Sequence, residues 1–355
     1  MRGPCPLLYN EMTRPYAGKA RPLAGEVTSM RIKRLGRTGL KVSEICMGTM
    51  TFGAQADEGT AHAILDRAIE AGVNFVDVAD VYPVPVTMET AGRTEEIVGR
   101  WLAGKRGRVV LATKCRGRMG PGPNDEGLSR VHILDAADAS LRRLQTDYID
   151  LYQLHAPDTD TPLDETLRAL EDLVRWGKVR YIGCSNFEAW RLCRALGISE
   201  RLRLARFESV QPRYNLLHRE IERDLLPACV EEGVGVIAYN PLAGGLLSGK
   251  YRRGEPPPEG TRFALAAGTG SLYRDRYWRD ELFDAVDAVK AAADGCGATP
   301  AQVSLAWLLQ QPALTSAILG ATRLEQVDET LKAAELNLDA SAIQALNAIS
   351  PPRSP

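Results

Sequence analysis

Short runs of apolar and β-branched residues alternate along the chain with longer segments in which apolar residues recur at helical spacing. The runs predict eight strands, at residues 44–50, 74–80, 109–114, 148–155, 179–186, 207–211, 234–240 and 315–320. Runs such as VVLAT and GVGVIA are apolar on both faces, which is typical of parallel strands packed on both sides. The pattern therefore predicts an α/β protein with a parallel sheet.

The segments between these strands begin with residues that cap helices. Asp57, Ser129 and the pair Thr299-Pro300 each precede an amphipathic run, where a side-chain oxygen or a first-turn proline suits the unpaired N–H groups. Roughly eight strand-then-helix units in series favour a single (β/α)8 TIM barrel. A doubly wound nucleotide-binding fold is the alternative, but no GxGxxG motif lies between the first strand and its helix.

Three long segments that follow predicted strands, at residues 81–93, 115–128 and 251–275, are rich in Pro, Gly and Arg. Barrels of this kind carry their chemistry on the loops after the strands. We therefore expect these loops on the C-terminal face to form the walls of a substrate pocket.

The ends of the chain differ from its body. Residues 1–29 have no periodic apolar face, which predicts a flexible N-terminal extension before a barrel at residues 30–350 and a Pro-rich tail at 351–355. No apolar run reaches the length that crosses a bilayer, and the first residues lack the apolar stretch of a secretory signal. The expected location is cytoplasmic, without a membrane partner.

Composition narrows the partners. Hydrophobic residues at 45% and charged residues at 25% are typical of a globular protein, and the net charge of -1 gives no electrostatic reason to bind nucleic acid. Seven cysteines without CxxC spacing predict reduced thiols rather than disulfides or a metal site. A small-molecule partner is expected, and the sequence leaves open whether the chain forms a homo-oligomer.

Strand alternation brings three ionisable residues to one region. Asp77, Lys114 and His155 lie on the inward faces of successive strands, near their C-terminal ends. Buried charge is costly unless it is paired or used, so the set indicates function. Each residue alone has a plainer interpretation, as a solvent-facing lysine or a hydrogen-bonded core histidine.

Nine motifs in order resemble the aldo-keto reductase superfamily over residues 34–350, in the branch of bacterial reductases and potassium-channel β subunits. They are LGRTGLKVSEICMGTMTFG (35–53), NFVDVADVY (74–82), GRTEEIVGRWL (92–102), LATK (111–114), DYIDLYQLH (147–155), GKVRYIGCSNF (177–187), VQPRYNLL (210–217), YNPLAGGLLSGKY (239–251) and GATRLEQVDET (320–330). The resemblance implies a barrel that reduces carbonyl groups with a nicotinamide cofactor.

The resemblance assigns a catalytic tetrad to Asp77, Tyr82, Lys114 and His155. Tyr82 would protonate the carbonyl oxygen, and the Lys114 cation would make the ionised phenol easier to reach. Asp77 would hold the ammonium group by an ion pair, and His155 would orient the carbonyl by a hydrogen bond.

The resemblance also implies NADPH bound without a Rossmann fold. Ser185, Asn186 and Gln211 would bond the carboxamide, and Tyr239 would stack on the nicotinamide. Arg262 and Arg323 favour NADPH over NADH by their charge. The other expected cofactor contacts are Gly48, Thr49, Met50, Asp77, Asn240, Pro241, Leu242, Gly244, Leu246, Lys250, Gly320, Thr322, Gln326, Glu329 and Thr330.

Three residues depart from the family pattern. Pro83 replaces the Gly that often follows the catalytic Tyr, Asn240 stands where Ser is usual, and Thr330 stands where Asn usually contacts adenine. None belongs to the tetrad, so these departures bear on specificity and affinity.

The expected activity is NADPH-dependent reduction of an aldehyde, ketone or keto-sugar to an alcohol, with Tyr82 as general acid. A nucleotide-binding regulatory subunit resembling potassium-channel β subunits is an alternative, which the tetrad does not separate from an enzyme. A deoxysugar or polyketide tailoring ketoreductase and a non-catalytic ligand-binding barrel are the others.

Overall fold

The computed structural model describes residues 30–265 and 269–349 and contains a closed barrel of parallel strands. Its strands are β1 (Ile32–Arg34), β2 (Lys41–Ser43), β3 (Ile45–Gly48), β4 (Phe75–Asp77), β5 (Val110–Cys115), β6 (Ile149–Leu154), β7 (Val179–Ser185), β8 (Phe207–Gln211), β9 (Gly235–Ala238) and β10 (Leu314–Gly320). Strands β3 to β10 form the barrel in chain order, and β10 closes it by pairing with β3. The predicted (β/α)8 barrel is confirmed.

Helices surround the barrel. They are α1 (Glu58–Glu70), α2 (Arg93–Trp101), α3 (Arg130–Leu144), α4 (Leu163–Arg175), α5 (Ala189–Leu202), α6 (Leu225–Glu232), α7 (Thr269–Tyr277), α8 (Asp280–Cys296), α9 (Pro300–Leu309), α10 (Leu324–Leu331) and α11 (Ala340–Asn347). The predicted caps are confirmed, because Asp57, Ser129 and Thr299 each accept a backbone N–H of the first turn. Thr299 forms a full capping box with Gln302.

Side-chain parity divides the core into two layers. Phe75, Ala112 and Leu151 belong to a small cluster inside the barrel, while a larger cluster fills the space between the strands and the helices. Residues two positions further along a strand share its inward face. The parity therefore turns Asp77, Lys114 and Gln153 towards the barrel interior.

The hairpin of β1 and β2 was absent from the sequence prediction. Its Leu35 and Val42 are completely buried and join the inner cluster. Each strand has only three residues, too few for an alternation signal, and the pairing depends on packing that the local sequence does not show. The hairpin supplies apolar side chains to the interior that the eight barrel strands alone would lack.

The segment 251–275 is less irregular than predicted, because its end belongs to helix α7. That helix is polar and shows little apolar periodicity, which hid it in the sequence. Packing stabilises it instead: Tyr273 contacts the ring of Phe263, and Asn215 donates to the Tyr277 hydroxyl at 3.2 Å. Residues 266–268 lie outside the described part of the chain.

Predicted strand bounds also shift. The prediction 74–80 shortens to β4, although backbone bonds from Val78 to Ala112 and from Asp80 to Lys114 continue the parallel pairing. The predicted extension 1–29 and tail 351–355 lie outside the described residues, so this division of the chain stays a prediction.

No helix within residues 30–265 and 269–349 is both long and apolar enough to cross a bilayer. Within the same ranges, no cluster of three or more His, Cys, Asp or Glu side chains has the arrangement of a metal site. The six described cysteines are free thiols, and Cys5 lies outside these ranges.

Gly99 lets helices α2 and α3 approach closely. A Cβ atom at this position would collide with the carbonyl oxygen of Arg143 and lie 2.9 Å from Leu144 Cα. We expect Gly99→Ala to lower the free energy of unfolding by about 1–3 kcal/mol, because the backbone of α3 would have to move to make room for the methyl group. Urea titration measures the change.

Gly197, in the exposed middle of α5, is the matched control for this substitution. A Cβ atom there meets nothing within 4 Å. Gly197→Ala should leave stability unchanged or raise it by up to about 1 kcal/mol, through helix propensity alone. Equal effects of the two substitutions would show that the α2–α3 approach is not close.

Candidate active site

A buried ion pair lies at the centre of the C-terminal face. Lys114 is fully buried and Asp77 is 2% exposed, and the Lys114 ammonium donates to Asp77 Oδ2 and, at 2.8 Å, to the Val78 carbonyl. Burial alone would lower the pKa of Lys114, but Asp77 and Tyr82 outweigh it and raise that pKa. The lysine therefore remains charged inside the barrel.

Two glutamines hold the second oxygen of the Asp77 carboxylate. Gln153 Nε2 and Gln211 Nε2 donate to Asp77 Oδ1 at 3.1 and 2.9 Å, and Gln211 Nε2 also lies 3.2 Å from Gln153 Oε1. The sequence prediction recognised the inward face of Gln153 without including it among the site residues. Because the Gln211 amide nitrogen is engaged here, its oxygen is the group left for a ligand.

Tyr82 lies beside this pair, in the loop that follows β4. The Lys114 ammonium is 5.0 Å from the ring centroid, and its positive charge favours the ionised form of the hydroxyl. Burial raises the pKa of Tyr82, and Lys114 opposes the rise without cancelling it. The expected effect of the lysine is present but outweighed, so the phenol keeps its proton at neutral pH.

His155 faces the ring of Tyr82 edge-on, with centroids 5.7 Å apart and an interplanar angle of 79°. Burial lowers the pKa of His155 to about 3, with further contributions from Lys114 and Arg116. The imidazole is therefore neutral over the physiological range. It can donate or accept a hydrogen bond without changing charge.

The residues predicted to hold the nicotinamide form a hydrogen-bonded chain that leads to His155. The Tyr239 hydroxyl donates to Asn186 Oδ1 at 2.8 Å, and Asn186 Nδ2 donates to the His155 carbonyl at 2.9 Å and to Ser185 Oγ at 3.1 Å. Ser185 Oγ donates in turn to the Gln211 carbonyl at 2.8 Å. The structure brings these four predicted residues together.

The predicted residues at and just after the end of β3 lie next to β4 and β10. Thr49 Oγ1 donates to the Asp77 carbonyl at 2.9 Å, so its hydroxyl fixes the backbone at the ion pair. Gly48 is paired in register with Gly320, which brings two predicted cofactor positions from opposite ends of the chain together. Met50 follows at the end of the strand, partly exposed.

Three cations gather after β9 and β10. Burial lowers the pKa of Lys250, and Arg323 and Arg262 lower it further, while Glu329 opposes them. Arg262 also donates to the Tyr273 hydroxyl at 3.2 Å. Three positive groups against one carboxylate leave a positive potential that suits a phosphate.

The loop after β9 is shaped by Asn240 and two glycines. Asn240 Oδ1 accepts from the Gly244 N–H at 2.7 Å, and its Nδ2 donates to the Tyr277 hydroxyl at 2.9 Å. Gly244 and Gly245 have φ of 69° and 94°, and a Cβ on Gly244 would lie 2.7 Å from the Tyr273 ring. Asn240 therefore orders the loop internally. The predicted positions Pro241, Leu242 and Leu246 lie in the same loop.

Helix α10 and the residues just before it carry several of the predicted cofactor contacts. Gln326 Oε1 accepts from the N–H and the hydroxyl of Thr322 at 2.8 and 3.2 Å, which leaves its amide nitrogen for a ligand. The Thr330 hydroxyl donates back to the Gln326 carbonyl at 2.6 Å. The hydroxyl proton of Thr330, a position that departs from the family pattern, is therefore engaged within the helix. Glu329 accepts from the Thr299 hydroxyl at 2.9 Å.

Comparison with known proteins extends over nearly the whole barrel. The model of the aldo/keto reductase family matches residues 44–351. The uncharacterized oxidoreductase YrpG of Bacillus subtilis is 42% identical over 329 residues, which cover 91% of this chain and 96% of the relative. A probable voltage-gated potassium channel subunit beta of Arabidopsis thaliana is 40% identical over 312 residues (86% and 92%). The versiconal hemiacetal acetate reductase of Aspergillus parasiticus is 35% identical over 343 residues (89% and 96%).

The lowered pKa of His155 predicts a pH dependence of stability. Between about 3 and the ordinary value of about 6.5, the unfolded chain binds a proton that the folded chain excludes. The free energy of unfolding should therefore decrease as pH falls through this window. His155→Gln removes this contribution and should give a shallower decrease between about pH 7 and about pH 5, measured by urea titration. A variant with the wild-type slope would contradict a neutral His155.

Proposed function

The chain belongs to the aldo/keto reductase family and is an oxidoreductase, and we propose that it reduces the carbonyl group of a small molecule to an alcohol with NADPH. The proposal rests chiefly on the fully buried Lys114–Asp77 pair beside a protonated Tyr82 and a neutral His155. A structural ion pair alone would not require a phenol and an imidazole at its open side.

Each residue has a separate task in this reaction. NADPH, when bound, supplies a hydride to the carbonyl carbon and leaves as NADP+. Tyr82 gives its hydroxyl proton to the carbonyl oxygen, so that one C–H and one O–H bond form as the C=O π bond breaks. Lys114 stabilises the phenolate that remains, and Asp77 keeps that ammonium in place. Neutral His155 donates a hydrogen bond that orients the carbonyl oxygen.

The arrangement of the chain's own residues fits a nicotinamide nucleotide. Tyr239 and Asn186 lie next to His155 and would hold the nicotinamide ring and its carboxamide. Lys250 would hold the pyrophosphate, and Arg262 and Arg323 would hold the 2′-phosphate, because their charges are concentrated where one carboxylate opposes them. This excess of positive charge supports NADPH over NADH.

The names of the relatives support two different functions. The Aspergillus relative is named a reductase, whereas the Arabidopsis relative is named a probable channel subunit. A nucleotide-binding regulatory subunit would need the cofactor site without the proton donor. Removal of the Tyr82 hydroxyl separates the two functions, since only an enzyme depends on it.

Tyr82→Phe removes one oxygen and keeps the ring. We expect kcat to fall by about 10²- to 10⁴-fold, the loss typical of a missing general acid, while NADPH binding stays nearly unchanged. Tyr181→Phe, on the N-terminal half of β7, is the control for the loss of a tyrosine hydroxyl and should keep wild-type turnover. Turnover and fluorescence titration of NADPH measure the two effects. Wild-type turnover by Tyr82→Phe would refute Tyr82 as the acid.

The cationic cluster predicts cofactor preference. NADPH should bind at least about tenfold more tightly than NADH, because a charge-assisted contact contributes about 1.5–3 kcal/mol. Arg262→Gln and Arg323→Gln should each weaken NADPH binding and leave NADH binding nearly unchanged. Arg252→Gln, an exposed charge change in the same loop, should affect neither. Equal affinities of the wild type for both cofactors would contradict the assignment.

A further inference from the structure

A second group of cations surrounds a cavity next to the predicted nicotinamide site. The cavity has a volume of about 870 Å³ and lies between the segments after β7 and β8 and helix α7. Its walls include Asn186 and Tyr239, as well as Arg213, His218 and Arg276. The volume is within the range that holds a small ligand.

Arg213 and Arg276 have no anionic partner within the described ranges, and neither guanidinium forms a hydrogen bond there. The Arg213 guanidinium lies 5.8 Å from the ring centroid of Tyr277. Both side chains are only partly exposed. Two half-buried cations that share a cavity and lack an ion-pair partner favour the binding of an anion.

Three of the four carboxylates of the cavity wall contact groups other than Arg213 and Arg276. Glu222 accepts from Arg219 at 2.8 Å and from the Tyr214 hydroxyl at 2.7 Å, and Glu188 lies 3.5 Å from Arg191. Asp224 accepts from the backbone N–H that follows it at 2.7 Å. Glu220 is exposed at the rim, as is Arg223. Among the described residues, none of these carboxylates forms an ion pair with Arg213 or Arg276.

The charges of Arg213 and Arg276 affect the pKa of two neighbouring side chains. Burial lowers the pKa of His218 to about 4, and Arg213 and Arg276 lower it further against an opposing effect of Glu220. Burial raises the pKa of Tyr239, and the same two arginines oppose the rise. The two arginines come from different segments of the chain, and the positive charges of both act on Tyr239.

This pair is separate from the cations assigned to the cofactor. Arg262 and Arg323 act on Lys250 after β9 and β10, whereas Arg213 follows β8 and Arg276 lies on α7. The phosphates of NADPH have their own cations in the first cluster. The second pair remains for another anion.

We propose that this cavity is a substrate subsite in which Arg213 and Arg276 bind a carboxylate or phosphate group of the carbonyl compound. The proposal rests on the proposed function and names its substrate class: acidic aldehydes or ketones, with the carbonyl at Tyr82 and the anionic group in the cavity. The shared wall of Asn186 and Tyr239 joins the two parts of the site.

The test compares charged and neutral substrates of the same length. Straight-chain ω-oxo carboxylic acids, ω-oxoalkyl phosphates and the methyl esters of the acids are reduced by wild type, Arg213→Gln and Arg276→Gln. The wild type should prefer the best anion over its ester by at least about tenfold in kcat/KM, since contacts to a charge are strong. Each variant should lose most of this preference and keep its activity on the ester and its Kd for NADPH.

Arg201→Gln, an exposed change of the same charge on α5, is the matched control and should keep the preference. The carboxylate and phosphate series show which anion the subsite takes. A wild type without preference for either anion, an equal loss on acid and ester, or a weakened NADPH Kd in the variants would overturn the subsite.

If the proposed function is wrong, the result is different, because the wild type then reduces neither the acid nor the ester. The subsite is then tested by calorimetry with the corresponding dicarboxylates and with alkyl phosphates, which cannot be reduced. Binding by wild type and Arg201→Gln that weakens at least about tenfold in Arg213→Gln and Arg276→Gln supports the subsite without any turnover. Absence of wild-type binding, or equal binding by all four proteins, overturns it.

Discussion

The ion pair of Lys114 and Asp77 is the constraint on which the site depends. Two charges inside a barrel are costly unless each is fully paired, and breaking such a pair leaves an uncompensated charge in a medium of low polarity. Here the ammonium is satisfied by Asp77 and the Val78 carbonyl, and the carboxylate by two glutamines. One carboxylate of β4 is therefore held by side chains from three other strands, β5, β6 and β8. The phenol of Tyr82 and the imidazole of His155 are positioned relative to this carboxylate.

Periodicity predicted this centre well because it depends on strand parity. Asp77 and Lys114 follow inward apolar residues by two positions, so their meeting inside the barrel needs only the fold and the alternation. The contribution of Gln153 could have been found from the same parity. Its bond to Asp77 could not, since the register between strands is set by tertiary packing.

Other parts of the structure were beyond local sequence signals. Helix α7 is polar; its Tyr273 ring packs on Phe263, and its Tyr277 hydroxyl accepts a hydrogen bond from Asn215, which is distant in sequence. Arg213 and Arg276 come from two separate segments, and either alone looks like an ordinary surface arginine. Their common cavity exists only after folding. The same holds for the opposition of burial and charge at Tyr82, whose outcome requires the actual environment of the phenol.

The pairing of Gly48 with Gly320 has a consequence for how the protein is made. These residues come from the first and the last strand of the barrel, and strand β10 closes the sheet by lying against β3. A chain emerging from the ribosome thus lacks one wall of the predicted nucleotide site until nearly all of it has been synthesised. A nucleotide that binds only the closed barrel stabilises the finished protein and not its unfinished precursors. Stabilisation by the nucleotide therefore begins only when synthesis of the chain is nearly complete.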